Sequence, residues 1–123
     1  MTPITSTENA SGSTTSNETE QIYARDFATE VDLRGLARCV VIGRAGDGKQ
    51  RVLDWVIALR RNGSGGLEVT GSELRGDYGD VEDLASLGVS IAASGTELRV
   101  TVSGVEDLPL SWSTLIEYAL MYP

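Results

Sequence analysis

The sequence predicts an α+β open-faced sandwich, in which a four-stranded antiparallel sheet carries three helices on one face in the order βαββαβα. Three patterns support this prediction: a β-branched run before a glycine-rich turn, a segment of helical period after that turn, and alternating strand-like and helix-like segments in the second half. The 123 residues, 41% of them hydrophobic, are enough for one domain with a substantial core.

The N-terminal segment is predicted to be a disordered tail covering residues 1–24. Its first twenty residues are mostly Ser, Thr, Asn and Glu and contain almost no large apolar side chain. Such a segment buries too little apolar surface to offset the entropy that it loses on ordering. The folded domain is therefore predicted to span residues 25–123, beginning with an extended lead-in that reaches Leu36.

The clearest predicted elements are a buried strand and a long helix on either side of a turn. Residues 36–42 form an apolar, β-branched run that stops at Gly43, which is typical of a buried strand. After the turn at residues 43–48, apolar side chains recur at helical spacing over residues 49–60. This helical stripe consists of Val52, Trp55, Val56 and Leu59, with Leu53 and Ile57 widening it.

A glycine-rich return and a pair of strands are predicted next. Residues 62–66 read Asn-Gly-Ser-Gly-Gly and are predicted to end the long helix. Leu67, Val69 and Leu74 then mark two short strands, between which the chain reverses at residues 71–72.

The last third of the chain is predicted to contain a short helix, a strand and a final helix. Asp80 is a suitable N-cap for a helix over residues 81–87, which Gly88 ends. Residues 98–103 alternate between apolar and polar side chains, which is typical of a half-buried strand. Pro109 suits the first turn of a last helix, along which the apolar positions are Trp112, Leu115, Ile116 and Ala119.

The composition excludes several classes of function. Ten Lys and Arg residues against eighteen Asp and Glu give a net charge of −8, which repels a polyanion, so no nucleic-acid partner is expected. The chain has no His and one cysteine, Cys39, which removes His-based metal sites and Ser-His or Cys-His catalysis. We therefore expect no enzyme, no metal and no cofactor. Because neither a bilayer-spanning apolar run nor a signal peptide is found, a cytoplasmic protein without a membrane partner is predicted.

Two segments of the second half resemble the HPr phosphocarrier family of the bacterial phosphotransferase system. Residues 80–89, Asp-Val-Glu-Asp-Leu-Ala-Ser-Leu-Gly-Val, are similar to the family's short second helix and the glycine that follows it. Residues 95–104, Gly-Thr-Glu-Leu-Arg-Val-Thr-Val-Ser-Gly, resemble the family's glycine-flanked strand before its last helix. The resemblance covers roughly residues 37–120 and implies the same open-faced α+β fold.

The resemblance also implies where phosphate should be carried, and the sequence departs from the family at that point. Family members place a phosphoaccepting histidine beside an arginine at the start of the first helix. Here Lys49 stands at the histidine position, Arg51 at the arginine position, and Val52 where the family has a proline. Because an ammonium group cannot replace a neutral imidazole as a phosphoryl carrier, no phosphate relay through histidine is predicted.

A regulatory protein-interaction module without catalytic activity is therefore the predicted function. In the family, the surface of the first two helices docks on partner proteins, so the resemblance implies a contact surface for an unidentified protein partner. An aliphatic patch beside a few charges is typical of such an interface. The predicted partner-binding residues are Lys49, Arg51, Asp80, Val81 and Leu84.

Two other functions stay open on the sequence. Residues 43–49 match G-x-x-x-x-G-K between a strand and a predicted helix, an arrangement that holds phosphate in nucleotide-binding loops. The phosphate-binding residues would be Gly46, Gly48 and Lys49. Gln50 takes the place of the Ser or Thr that would hold magnesium, which argues against a working nucleotide hydrolase. A structural component of a larger assembly is also compatible with an acidic chain that lacks a catalytic set of residues.

Overall fold

The structure, a computed structural model that describes residues 1–123, consists of eight β-strands and contains no helix. The predicted α+β fold, with its three helices and its βαββαβα order, is therefore wrong. The strands are β1 Thr2–Thr14, β2 Thr19–Asp26, β3 Arg34–Ala45, β4 Gln50–Arg61, β5 Leu67–Gly79, β6 Gly88–Ser94, β7 Glu97–Ser103 and β8 Leu110–Tyr122. Consequently the chain has no helix long and apolar enough to cross a membrane.

The strands form two antiparallel sheets that pack face to face as a β-sandwich. One sheet has five strands in the order β1-β8-β3-β4-β5, and the other has three in the order β2-β7-β6. The chain passes from the larger sheet to the smaller after β1, returns for β3 to β5, leaves for β6 and β7, and ends in the larger sheet. The smaller sheet covers one face of the larger, and no segment packs on the other face.

The strand β4 occupies the segment that was predicted to be the longest helix. Its side chains alternate between the two faces of the sheet, and Leu53, Ile57 and Leu59 point into the core. Val52 and Val56 lie on the opposite face. Because both faces of β4 carry apolar side chains, the two-residue period is hidden, and positions three and four apart imitate a helical stripe.

The predicted last helix is the 13-residue strand β8. Its even-numbered side chains from Leu110 to Leu120 are buried, and its odd-numbered side chains are exposed up to Met121. This alternation is that of a strand with one buried face. Trp112 and Ile116 are four residues apart, a spacing that fits both periods, and this ambiguity led to the incorrect helix.

The second predicted helix and the predicted strand pair are also wrong. Residues 81–87 form a loop of successive turns, with one helical-type bond from the Leu84 N–H to the Asp80 carbonyl at 3.1 Å. Residues 67–79, which were predicted to reverse at residues 71–72, form the single strand β5. The pairing of β5 with β4 shifts register twice, so the reversal predicted from glycine is a bulge beside Thr70.

The predicted disordered tail differs from the structure. Residues 2–14 form β1, and residues 19–26 form β2, so the sandwich includes most of residues 1–24. Threonine fits the pleated surface of a half-exposed strand, and β1 pairs with β8 through thirteen residue pairs. A segment that could not order itself alone is therefore ordered by the sheet that it joins.

Three predicted features are confirmed. The strand predicted at residues 36–42 lies within β3, and the strand predicted at residues 98–103 lies within β7. The glycine-rich segment at residues 62–66 returns the chain from β4 to β5 as predicted, although the element that it ends is a strand and not a helix. Each of these features is a short run bounded by glycine, or an alternation of apolar and polar residues, that is read without assuming a partner.

The core lies between the two sheets and includes a tyrosine pair that joins them. The hydroxyls of Tyr23 on β2 and Tyr118 on β8 lie 2.6 Å apart, and the Arg25 guanidinium stacks over the Tyr118 ring at 4.9 Å. Burial raises the pKa of Tyr23 to about 12 and raises the pKa of Tyr118 as well. Burial also raises the pKa of Cys39 to about 12. The largest fully buried side chains are Trp112, Phe27, Leu33, Ile57, Leu84, Leu98, Ile116 and Leu120.

We expect the protein to lose stability at alkaline pH because of these buried groups. The ordinary pKa values are 10.0 for tyrosine and 9.0 for cysteine, whereas the folded chain keeps Tyr23 and Cys39 protonated to about pH 12. The folded state therefore binds more protons above pH 9, and the free energy of unfolding should fall there by up to about 1.4 kcal/mol per pH unit and group. Urea unfolding at several pH values measures this slope. Tyr23→Phe should reduce it, Tyr78→Phe at an exposed tyrosine should not, and a level profile would contradict the expectation.

Candidate functional site

The residues predicted to bind a partner lie together at one end of the sandwich, where the β3–β4 turn meets the loop between β5 and β6. The Lys49 ammonium lies 3.5 Å from the Asp83 carboxylate. The Gln50 N–H donates to the Asp80 carboxylate at 3.0 Å, and the Asp80 N–H donates to the Gln50 carbonyl at 2.7 Å. We call the five predicted residues the loop-end cluster: Lys49, Arg51, Asp80, Val81 and Leu84.

Arg51 is the central side chain of the loop-end cluster. Its guanidinium donates to both carboxylate oxygens of Asp77 at 2.9 and 2.7 Å, and to the carbonyls of Leu84 and Ala85 at 3.1 and 3.3 Å. The hydrogen bonds from Arg51 lower the pKa of Asp77. The donors of Arg51 are therefore occupied within the chain, where they fasten the β5–β6 loop to β4.

The apolar members of the loop-end cluster offer little surface to a partner. Leu84 is completely buried in the core, and Val81 is half-buried. Lys49 is the one member of the cluster that is exposed, with 46% of its side chain accessible. The sequence thus predicted five residues that do come together, and the contacts that they make are those that hold the loop in place. Their role in binding a partner stays a prediction.

The turn predicted to hold phosphate is a β-hairpin connection. The Gly48 N–H donates to the Ala45 carbonyl at 3.0 Å, and the Lys49 N–H donates to the Asp47 carboxylate at 3.0 Å. The chain continues into β4, so the turn has no helix N-terminus to attract an anion. A cavity of about 440 Å³ beside the turn is lined by Arg44. Phosphate binding at this turn stays a prediction without the helix on which it depended.

The chain offers few groups for chemistry. No group of three or more His, Cys, Asp or Glu side chains lies close enough together to hold a metal ion. Cys39 is buried, and its raised pKa keeps it in the thiol form, which is the unreactive one. The features that distinguish the surface are therefore the exposed faces and edges of the sheets.

The solvent-exposed side of the five-stranded sheet, which we call the outer face, carries an unusual set of side chains. An antiparallel sheet with one wet face normally has polar side chains on that face. On this sheet the central strands β8, β3 and β4 carry aliphatic side chains instead, beside an exposed tyrosine of β5. The apolar residues of the outer face are Leu36, Val40, Ile42, Val52, Val56, Ala58, Tyr78, Leu115, Ala119 and Met121.

Several of these apolar residues are neighbours across the strands, in groups on either side of Arg38, Asp54 and Glu117. Leu115 of β8 is directly opposite Val40 of β3, and Ile42 of β3 is directly opposite Val52 of β4. Leu36 is opposite Ala58 of β4 and Ala119 of β8, and 51% of its surface is exposed. The outer face therefore exposes more aliphatic surface than the wet face of an antiparallel sheet usually does.

The charges on the outer face nearly cancel. The Arg38 guanidinium donates two 3.0 Å hydrogen bonds to the Asp54 carboxylate and lies 3.6 Å from Glu117. Two N–H groups of the Arg60 guanidinium donate to one carboxylate oxygen of Glu68, at 2.9 and 2.5 Å. Five arginines and four carboxylates give the outer face a net charge of +1, on a chain of −8. They are Arg34, Arg38, Arg44, Arg60 and Arg75 against Asp54, Glu68, Glu73 and Glu117.

No protein-family model matches the chain, and no curated protein matches it. The predicted helices over β4 and β8 hide the outer face, because a helix distributes these side chains around its axis. The signal in the sequence is an unbroken apolar run, as in residues 39–42, which indicates a strand with apolar side chains on both faces.

Proposed function

We propose that the chain is a non-catalytic structural module, copies of which associate through their outer faces as part of a larger protein assembly. The observation that carries this proposal is the combination of an aliphatic surface and a net charge of +1 on an otherwise acidic chain. Two copies that meet through the acidic surfaces of the chain oppose like charges, whereas two outer faces add almost no electrostatic repulsion. Association through the outer face is therefore a pairing that this charge distribution favours.

The dimensions of the outer face also fit such a contact. Five strands spaced about 4.8 Å apart and about twelve residues long span roughly 20 by 40 Å. This area of about 800 Å² equals the surface that each partner contributes to a standard protein interface. Two twisted sheets pack well when their strands cross at about 30°, which lets the aliphatic side chains of the two copies interdigitate.

Docking on a different protein through the loop-end cluster has less support. Leu84 has no exposed surface. The Arg51 guanidinium already donates to Asp77 and to the β5–β6 loop, so its donors are not available to a partner. A protein partner for the outer face would need aliphatic side chains and a charge close to zero, and a second copy of the chain supplies both. We also propose a cytoplasmic location, in keeping with the single unpaired cysteine.

The proposal predicts that negative charges introduced at apolar positions of the outer face abolish the contact between two copies. In Leu36→Asp/Leu115→Asp, two exposed leucines of the outer face become carboxylates, so two faces that meet bring four new negative charges together. We expect the wild-type sedimentation coefficient to rise with protein concentration and the double variant to lose at least one association step. Sedimentation velocity over a wide concentration range measures this difference.

A matched variant separates the outer face from general acidity. Ser90→Asp/Ala92→Asp places the same two charges at exposed positions of β6 on the smaller sheet. This control should associate as the wild type does. The proposal would be overturned if the outer-face variant associated to the same extent as the control. It would also be overturned if the wild type stayed at 13.1 kDa at every concentration.

A further inference from the structure

The four edge strands of the two sheets differ in how well they are protected against pairing with another chain. β5 carries two bulges and several charged side chains, and β2 is an eight-residue strand with a register shift. β6 has only seven residues. β1 has thirteen residues and pairs with β8 over its whole length without a bulge. Long, flat edges of this kind are templates for a further strand unless a charge, a proline or a bulge blocks them.

The free edge of β1 has almost none of these blocking features. Its one charged residue, Glu8, faces the interior side and forms an ion pair with Arg25. Its one proline, Pro3, lies near the beginning of the strand. The exposed side chains of β1 that follow Pro3 are uncharged. They are Thr5, Thr7, Asn9, Ser11 and Ser13.

The β1 edge is also held in place, so little ordering entropy remains to be lost when another strand pairs with it. Arg25 of β2 donates to Ser6, and Ile22 of β2 packs against Gly12. The turn after β1 is closed by Glu18, whose carboxylate accepts from the N–H groups of Thr15 and Ser16. These hydrogen bonds lower the pKa of Glu18 to about 2.

We infer that β1 is a second self-association site, at which the β1 strand of another copy pairs antiparallel and joins two five-stranded sheets into one of ten strands. A second copy is the favoured occupant because the β1 edge, opposed to itself, brings no unpaired charge together in a chain of −8. β5 opposed to itself would place Glu68, Glu73 and Asp77 near their own copies. A two-fold axis relates identical edges, which makes the pairing antiparallel.

This inference rests on the proposed structural role but uses the backbone edge of β1, not the apolar side chains of β8, β3 and β4. A chain with two separate two-fold contacts, one through the outer face and one through β1, propagates beyond a dimer. Disabling one contact should therefore leave a dimer held by the other, and disabling both should leave a monomer.

The test places lysines on the edge strand in the background of the outer-face variant. Thr7 and Ser11 are exposed and make no side-chain hydrogen bond, so Thr7→Lys/Ser11→Lys should fold normally. Leu36→Asp/Leu115→Asp alone should sediment as a dimer, and the combined four-residue variant should sediment as a monomer. The control carries Ser90→Lys/Ala92→Lys on the β6 edge in the same background and should remain a dimer.

Amide hydrogen exchange supplies a second measurement on the same proteins. In the dimer of the outer-face variant, the N–H groups along the free edge of β1 should be protected, and in the combined variant they should exchange rapidly. A dimer that survives the lysines, or free-edge amides of β1 that exchange equally in both proteins, would overturn the inference. An outer-face variant that is already monomeric would overturn it too, while leaving the proposed contact through the outer face intact.

Discussion

Replacing Arg61 with methionine is expected to lower the free energy of unfolding by about 4 kcal/mol. Arg61 ends β4, is only 4% exposed and has no carboxylate partner. Its guanidinium donates instead to four backbone carbonyls, those of Phe27, Ala28, Ser64 and Gly65, at 2.7 to 3.0 Å. Because these carbonyls belong to segments that follow β2 and β4, one side chain ties the two sheets together at this end.

The neighbouring arginine provides the control for this experiment. Arg60 is exposed on the outer face and pairs with Glu68, so Arg60→Met should cost less than about 1 kcal/mol. Arg61→Lys should also be costly, since one ammonium group cannot reach four carbonyls placed around a planar guanidinium. Urea unfolding at neutral pH compares the three variants. Equal midpoints for Arg60→Met and Arg61→Met would contradict the role assigned to Arg61.

Replacing Trp112 with alanine is expected to cost about 3–5 kcal/mol. Trp112 is the largest of the fully buried side chains, and its indole N–H donates to the Thr14 hydroxyl at 3.0 Å. The ring packs directly on Gly43, where an added Cβ would lie 3.0 Å from it. The substitution would therefore leave a large cavity in the core over β8 and β3, and a buried hydroxyl at the end of β1 without its donor.

The two tryptophans of the chain allow the hydrogen bond to be separated from the packing. Trp112→Phe keeps most of the ring but leaves the Thr14 hydroxyl without its donor, so about 1–3 kcal/mol should be lost. The Trp55 indole N–H is buried without a partner, so Trp55→Phe removes an unsatisfied donor and should cost less. Thermal or urea unfolding measures both changes. A larger loss for Trp55→Phe than for Trp112→Phe would contradict this assignment.

The sequence alone predicts the segments whose pattern is local. Residues 98–103 alternate strictly, and residues 36–42 form a β-branched run that stops at a glycine, so both were correctly predicted as strands. The turn at residues 62–66 was predicted from its glycines. None of these predictions requires knowledge of what lies opposite in the fold.

The predicted secondary structure is wrong for segments whose apolar side chains can be assigned to a face only when the neighbouring strands are known. β4 is apolar on the core side and on the outer face, so a helical stripe through Val52, Trp55 and Val56 described it as well as an alternation did. In β8, serine and glutamate at odd positions do alternate with buried side chains, and weighing the whole strand rather than four apolar residues would have predicted it.

The predicted HPr-like fold is wrong for the same reason, because it too rests on the spacing of apolar residues along single segments. The residues that resemble the second helix of that family, residues 80–87, make turns, and those that resemble its later strand do form β7. A short match to hydrophobic spacing cannot distinguish a helix of two turns from a compact loop that buries Leu84. The N-terminal strand could not be predicted either, because its order comes from pairing with β8, over one hundred residues away for Thr2 and Tyr122.

The candidate site was partly predictable. The resemblance to the HPr family grouped Lys49, Arg51 and Asp80 on a helical surface, and the structure brings them together by a different arrangement, because the β3–β4 turn and the β5–β6 loop meet at one end. The outer face could not be predicted from the sequence, because its side chains come together only when β8, β3 and β4 lie side by side. A surface built from three separated segments requires the strand order of the sheet before it can be recognised.

The most direct test of the central claim is the solvent accessibility of methyl groups, measured by paramagnetic relaxation from a soluble agent at low and high protein concentration. Methyl groups of Val40, Ile42 and Val56 should become shielded as the concentration rises, because they lie at the centre of the outer face. The Ala92 methyl on the smaller sheet should stay accessible throughout. Equal accessibility of the outer-face methyls at both concentrations, or shielding of Ala92 instead, would contradict association through the outer face.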